Sequence, residues 1–425
     1  MKRIVKAFVC ILCIMLAMAL AGCELVSVNS ERDLNQTVAI VDGKTITKRK
    51  VNYMFENLIG YSGMSLDSSD PFVQLQLQMQ RIQLVGDMVN ELVGYNKAAE
   101  LGYEAKLTEE DIEEIETGYN EFIEYYEVTL KEAMIKTYAE WDDAEAKAEQ
   151  EVKALLDQYL LDSNFTSPEE YKETLKLSKM REKLNEDIKN EVVLDEAKVQ
   201  SAYEEQLEMQ KEYYSEDAAA YASAESSGSV MLYNAPGLRR VKNLLIEISE
   251  DDSDAIIELR MAGDDEGADK LLEAALEKIR PQAEEALQRA RDGEDFDALL
   301  DELGADAGME PDTEGREKGY LVYAENQDYV AAFTEASMEL DKEGDISDLV
   351  ATDYGYHILL YFKEIKEGVV PYEDIKEAFE EYQLTTEQSM ALEKKYSEWY
   401  AELEEAGKLR LYMDRVEDVK LFGQG

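Results

Sequence analysis

The tightest constraint on how this chain can fold is a change in its hydrophobic periodicity partway along. From Lys48 to Tyr214 apolar residues recur mostly at helical spacing, and from Pro371 to Glu405 they do so again. Between these stretches the pattern shortens. "RVKNLLIEI", Arg240–Ile248, reads as a strand and "GYLVY", Gly319–Tyr323, as another. Ile346–Thr352 and Tyr356–Ile365 read as two more, joined at Asp353-Tyr354-Gly355, with helices at Phe296–Leu303 and Tyr329–Leu340. A helical stripe and a strand alternation bury different faces, so the two grammars call for separate layers. The expected fold class is α+β: a mostly helical domain at both chain ends, with a smaller domain inserted between them whose helices cover one antiparallel sheet.

The flanking stretches carry their own signals. "VAIVDGKTIT", Val38–Thr47, alternates about Asp42-Gly43 and predicts a hairpin. Val51, Met54, Phe55, Leu58 and Ile59 then open a helix. Phe72–Leu101 follows as a long one with a stripe of Leu75, Met79, Ile82, Val85, Val89, Leu92 and Val93. Thr108-Glu-Glu-Asp111 is a capping-box start, Ser167-Pro168 an N-cap with proline behind it, and Asp195 a further cap. "EDAAAYASAESSGS", Glu216–Ser229, reads as an Ala/Ser linker. "KLRLYM", Lys408–Met413, predicts a last strand that pairs with the N-terminal hairpin. The expected organisation is a leader at 1–22, a tether at 23–36, helical domain at 37–215, linker at 216–235, inserted domain at 236–366, and a completing helix and strand at 367–425.

The leader has Lys2, Arg3 and Lys6 ahead of an uncharged apolar run, Ala7–Ala21, which is short for a membrane span. It ends in Leu20-Ala21-Gly22-Cys23, which resembles a bacterial lipobox, so Cys23 is the expected lipidation site. Cys10 and Cys13 would leave with the leader, and the mature chain would have no free thiol, disulfide or cysteine metal site. The chain holds 44 basic and 95 acidic side chains, formally −51. Such a charge repels nucleic-acid backbones and attracts basic or unfolded partners. It holds one histidine, His357, so no histidine-based metal site is expected, and no cofactor is called for.

The segment 240–366 resembles the parvulin family of peptidyl-prolyl cis-trans isomerases. The resemblance rests on "RVKNLLI", on "DFDALLDELGAD" leading to "GYLVY", on "AAFTEASMELDKEGDISDLV", and on "ATDYGYHILLYF". The lipobox, the helical ends and this inserted domain together resemble extracytoplasmic foldase lipoproteins of the PrsA type, whose N-terminal chaperone domain is similar to that of SurA proteins. Carried over position by position, the resemblance makes His357 the second histidine of the active site and Thr352 its hydroxyl partner. Asp306 would face the rotating peptide bond, while Phe333, Val330, Tyr320 and Met309 would line the proline pocket. Two features depart from the family. Asn243 stands where the first histidine is expected, and an acidic insertion, roughly Asp251 to Pro281, follows the first strand.

The resemblance implies a lipid-anchored isomerase that assists exported proteins at Xaa-Pro segments, on the outer face of a Gram-positive-type membrane, and helical arms compatible with a homodimer. Asn243 leaves a second reading open: a holdase whose parvulin-like domain has lost catalytic strength. A surface lipoprotein that keeps the domain only as scaffold is a third.

Overall fold

The computed structural model describes residues 30–62 and 70–417. The expected leader, the expected lipidation site Cys23 and the start of the expected tether lie outside the described residues. The chain divides into two compact units: one of the residues up to Val192 together with those from Gln388 on, the other Val193–Glu387. These divisions fall at other positions than 215 and 367. The helix Glu196–Tyr214 belongs to the second unit, and the helix Tyr372–Glu405 supplies residues to both.

In the first unit, β1 (Thr37–Val41) and β2 (Lys44–Thr47) form the expected hairpin. Strand β9 (Leu409–Leu411) adds antiparallel to β1, with Ala39 opposite Leu411, giving the order β2-β1-β9. The two distant chain segments therefore build one sheet. Its residues Val38, Val41, Ile46 and Leu409 share a core with Val85, Val89 and Val93 of the helix Pro71–Glu100, with Met180 and Leu184, and with Trp399. The sequence stripe drifts out of phase at that helix's start: Leu75 and Met79 are exposed, and Leu77 is buried against Phe55 and Ile59. Asp111 and Thr108 form a reciprocal capping box, as expected.

Two low-complexity readings are corrected. Part of the tether, Ser30–Leu34, is a helical turn whose Asp33 reaches Lys48 Nζ at 2.9 Å and whose Glu31 pairs with Arg49. Lys48 is only 2% exposed, so these acids compensate buried charge and fix the segment. Within the supposed linker, Ala218–Ser226 is a helix capped by Asp217, with Tyr221 buried and its hydroxyl on Asn234 Oδ1 at 3.1 Å. Alanine is the best helix former, and one buried tyrosine suffices to seat so small a helix.

The second unit is built on a four-stranded antiparallel sheet, order β5-β4-β7-β6. Its strands are β4 (Arg239–Glu247), β5 (Tyr320–Val322), β6 (Val350–Thr352) and β7 (Gly355–Glu364). A small ladder of β3 (Tyr233–Asn234) and β8 (Gly368–Val369) stands apart. Alternation splits the central strands into two faces. Leu244, Ile246, Tyr356 and Ile358 pack beneath the helices Asp265–Arg291 and Phe296–Leu303. Val241, Leu359 and Tyr361 pack with Phe333 and Leu340 on the opposite face. The acidic insertion is the helix Glu250–Met261 followed by the first part of Asp265–Arg291, which runs on past Pro281 without a break.

Candidate active site

Strands β4 and β7 are paired so that Asn243 lies opposite Leu359 and His357 opposite Leu245. Both Asn243 and His357 fall on the face that carries Phe333, and both are buried. A buried polar group must find partners, and here the partners form a line. His357 Nδ1 lies 3.0 Å from Asn243 Oδ1, and its Nε2 lies 2.8 Å from Thr352 Oγ1. Asn243 Nδ2 donates to Asp306 Oδ2 at 2.6 Å, and the Tyr320 hydroxyl donates to Asp306 Oδ1 at 2.8 Å. Gly308 N–H adds a third donor to the carboxylate at 2.9 Å. A Cβ on Gly308 would collide with the Tyr320 hydroxyl, so the glycine permits this convergence.

The direction of every bond follows from one fact. A carboxylate only accepts, so Asn243 turns its amide nitrogen to Asp306 and its oxygen to His357. His357 Nδ1 must then carry the hydrogen, and Nε2 must accept from the Thr352 hydroxyl. Tyr354 N–H fills the acceptor side of that hydroxyl at 3.2 Å, consistent with this orientation. Burial pushes the imidazole down to about 4, against the opposing pull of the nearby Asp306 charge. The ring is therefore neutral at physiological pH. Burial, and then the hydrogen bond to Asp306, hold the Tyr320 phenol well above its ordinary range. The network is a polarised, fixed array of uncharged groups ending on one carboxylate.

Beside it lies an aromatic group. Phe333 sets its ring edge-to-face on His357, with centroids 5.7 Å apart. Tyr329 lies tilted on Phe333 at 5.0 Å and on Tyr320 at 5.6 Å. The structure thus brings together His357, Thr352, Asn243, Asp306, Tyr320 and Phe333. Val330 stands at the N-terminus of the helix Ala331–Glu339 and is 42% exposed, a rim position. Met309 does not join the pocket. It is 2% exposed and packs among Leu244, Phe296 and Ile358 under the covering helices, on the other face of the sheet. Tyr329 is the residue that the sequence reading missed. Its signal was available: an aromatic four residues ahead of Phe333 at the start of a helix.

Residues 267–363 match the Rotamase family, described as the PPIC-type PPIase domain. The match contains His357, Thr352, Asp306, Tyr320 and Phe333, and it begins after Asn243. The chain is 32% identical over 136 residues to the foldase protein PrsA of Caldanaerobacter subterraneus subsp. tengcongensis, covering 32% of this chain and 40% of that protein. It is 23% identical over 418 residues to the foldase protein PrsA of Clostridium botulinum (strain 657 / Type Ba4), covering 96% of this chain and 97% of that one. Among solved structures, PrsA from Bacillus subtilis aligns at 16% identity over 87% of this chain and 93% of its own, with a TM-score of 0.24. The SurA-like chaperones PEB4 and Cj1289 of Campylobacter jejuni are represented at 17% identity over 86% and 98%, with a TM-score of 0.22. The chain carries a parvulin-type, PPIC-class peptidyl-prolyl cis-trans isomerase domain, and its relatives are PrsA foldases.

Proposed function

We propose that this chain is an extracytoplasmic foldase that accelerates Xaa-Pro isomerisation in exported polypeptides and is held at the membrane through lipidated Cys23. The observation that carries the catalytic part is the hydrogen-bonded line Thr352–His357–Asn243–Asp306 beside the rings of Phe333, Tyr329 and Tyr320.

Prolyl rotation is slow because twisting the amide forfeits about 18–20 kcal/mol of resonance. No covalent step is needed to lower that barrier. The aromatic rings offer an apolar seat for the pyrrolidine. Asp306, aimed by Asn243 and Tyr320, sets a fixed negative charge beside the carbonyl. A planar amide places partial negative charge on its oxygen, and a twisted amide less. The carboxylate therefore disfavours the ground state more than the transition state. His357 transfers no proton in this scheme. It is neutral, and it orients Asn243 and hence the carboxylate. Asn243 serves as a hydrogen-bonding link as a histidine would, without its capacity to titrate.

A protease-free isomerisation assay on short Xaa-Pro peptides tests the reading: a rate no faster than buffer sinks it. Asp306→Asn should lower kcat and lower KM with it, because the bound planar amide is then no longer opposed. One observation favours an additional holdase role. Met54, Leu58, Phe72, Leu75 and Met79, on two neighbouring helices of the first unit, are exposed. Flexible methionines and large apolar side chains suit many partner shapes. No helix among the described residues is long and apolar enough to cross a membrane. Mass spectrometry of the N-terminal peptide tests lipidation at Cys23.

A further inference from the structure

The polarised line of hydrogen bonds begins at Thr352, and Thr352 has a slender support. Strand β6 is three residues long and lies at the sheet edge, with β7 as its one partner strand among the described residues. A strand so short holds few ladder bonds, so the placement of its last hydroxyl depends on what flanks it.

The acidic helical insertion and the helix that continues it grip the chain on both sides of β6. Ahead of the strand, Arg291 Nη2 donates to the Ser347 carbonyl at 3.0 Å and to Asp348 Oδ1 at 2.6 Å. Behind it, Arg260 binds the Asp353 carboxylate through two bonds, Nε to Oδ2 at 2.8 Å and Nη2 to Oδ1 at 3.0 Å. Asp353 is the residue next to Thr352. Arg260 is also held by its own hairpin, with Nη2 on Asp269 at 3.0 Å and Nη1 3.5 Å from Asp265. The hairpin is anchored in turn, because Ile256, Ala268 and Ala275 are buried in the core under the sheet. The guanidinium fork thus ties a rigid element to the turn Thr352–Gly355. An isolated exposed ion pair does little, but a two-bond fork fixed at both ends constrains orientation as well as distance.

We infer that Arg260, seconded by Arg291, is a positioning residue for isomerisation: it fixes the β6–β7 turn so that the Thr352 hydroxyl hydrogen stays on His357 Nε2 and closes the far end of the line whose Nδ1–H end Asn243 sets. This rests on the isomerase reading for its catalytic consequence, but not for the Thr352–His357 bond. The acidic insertion is on this account a brace for the active site.

The chain has one histidine, so nitrogen-15 labelling of histidine gives one pair of imidazole signals to read. In the full chain near pH 7, Nδ1 should report as protonated and Nε2 as bare. In Arg260→Ala the bare Nε2 signal should move downfield as the hydrogen bond it accepts from Thr352 loosens, and kcat/KM should fall about three- to fivefold with KM nearly unchanged, the size expected from losing one well-fixed pair. Arg260→Lys keeps the charge without the fork and should fall between, and Arg291→Ala should deepen the loss in the double variant. Arg260→Lys also serves if Arg260→Ala folds poorly. A wild-type Nε2 shift and wild-type kcat/KM in folded Arg260→Ala would overturn the proposal. A wild-type chain without isomerase activity would sink the isomerase reading alone, and the nitrogen shifts would still decide whether Arg260 holds the Thr352 hydroxyl on His357.

Discussion

Protonating His357 should cost the second unit a measurable part of its stability. The imidazole is pushed down to about 4 from an ordinary 6.5, chiefly by burial. A group whose native value is depressed contributes its full stabilisation above the unfolded value and loses it as pH falls toward the native one. The window is therefore about pH 6.5 to pH 4. At about 1.4 kcal/mol per unit, the loss across it is about 3 kcal/mol. That is large against the about 5–15 kcal/mol that stabilises a typical domain. The chain carries many carboxylates that titrate in the same range, so bulk stability alone does not isolate the term. Comparing wild type with His357→Gln does, because glutamine cannot titrate. The difference in unfolding free energy between the two should shrink by up to about 3 kcal/mol between pH 7 and pH 4. Both tryptophans, Trp141 and Trp399, lie in the first unit, so their fluorescence reports the wrong transition. Near-ultraviolet signals of the tyrosines, or the imidazole resonance itself, report the right one. An imidazole titrating near 6.5 in the folded chain, or a pH-independent difference, would refute the argument that the ring is buried neutral.

Other outcomes follow from the same geometry. Asn243→Leu strands His357 Nδ1–H and one side of Asp306, and should destabilise the second unit by about 1–3 kcal/mol while lowering kcat/KM, measured by denaturation and peptide isomerisation. Tyr329→Ala removes a half-buried ring from the pocket; KM for an Xaa-Pro peptide should rise about tenfold, as expected for about 1–1.5 kcal/mol of aromatic contact, with the melting temperature nearly unchanged. Gly355→Ala places a Cβ against the Ile246 carbonyl at a residue whose φ is 142°, so it should shift the β6–β7 turn and weaken both folding and the Thr352–His357 bond, visible in the histidine nitrogen shifts. Deleting residues 409–411 exposes the edge of β1, and should lower the fluorescence-detected midpoint of the first unit while the second unit's transition stays in place.

Much of this was legible from the sequence, for identifiable reasons. The capping box at Thr108, the hairpin at Asp42-Gly43 and the return of β9 to β1 are read from local chemistry or from chain order, and the structure has all three. The grouping of His357, Thr352 and Asp306 came from a family pattern, since alternation alone places a histidine on a face without giving its partners. Composition misled twice, at Ser30–Leu34 and Ala218–Ser226. In each case a few specific contacts, Asp33 with Lys48 and Tyr221 with Asn234, order a segment whose average character is that of a linker. Met309 was misplaced because a loop residue next to a pocket in sequence can turn to either side of a sheet. The direction of the hydrogen-bonded line could not be read at all. It depends on Asn243 lying between a ring and a carboxylate that are 114 and 63 residues away along the chain.

The pairing of β9 with β1 has a consequence in time. A chain delivered from its N-terminus offers Thr37–Val41 early, but the strand that completes its sheet lies some 370 residues later. The second unit needs only residues 193–387, and its central contact, β4 with β7, can form before β9 arrives. Closing so long a loop adds little to stability cost but much to delay. During delivery the inserted unit is thus free to fold first, while the sheet of the first unit waits with an open edge until the last strand is in place.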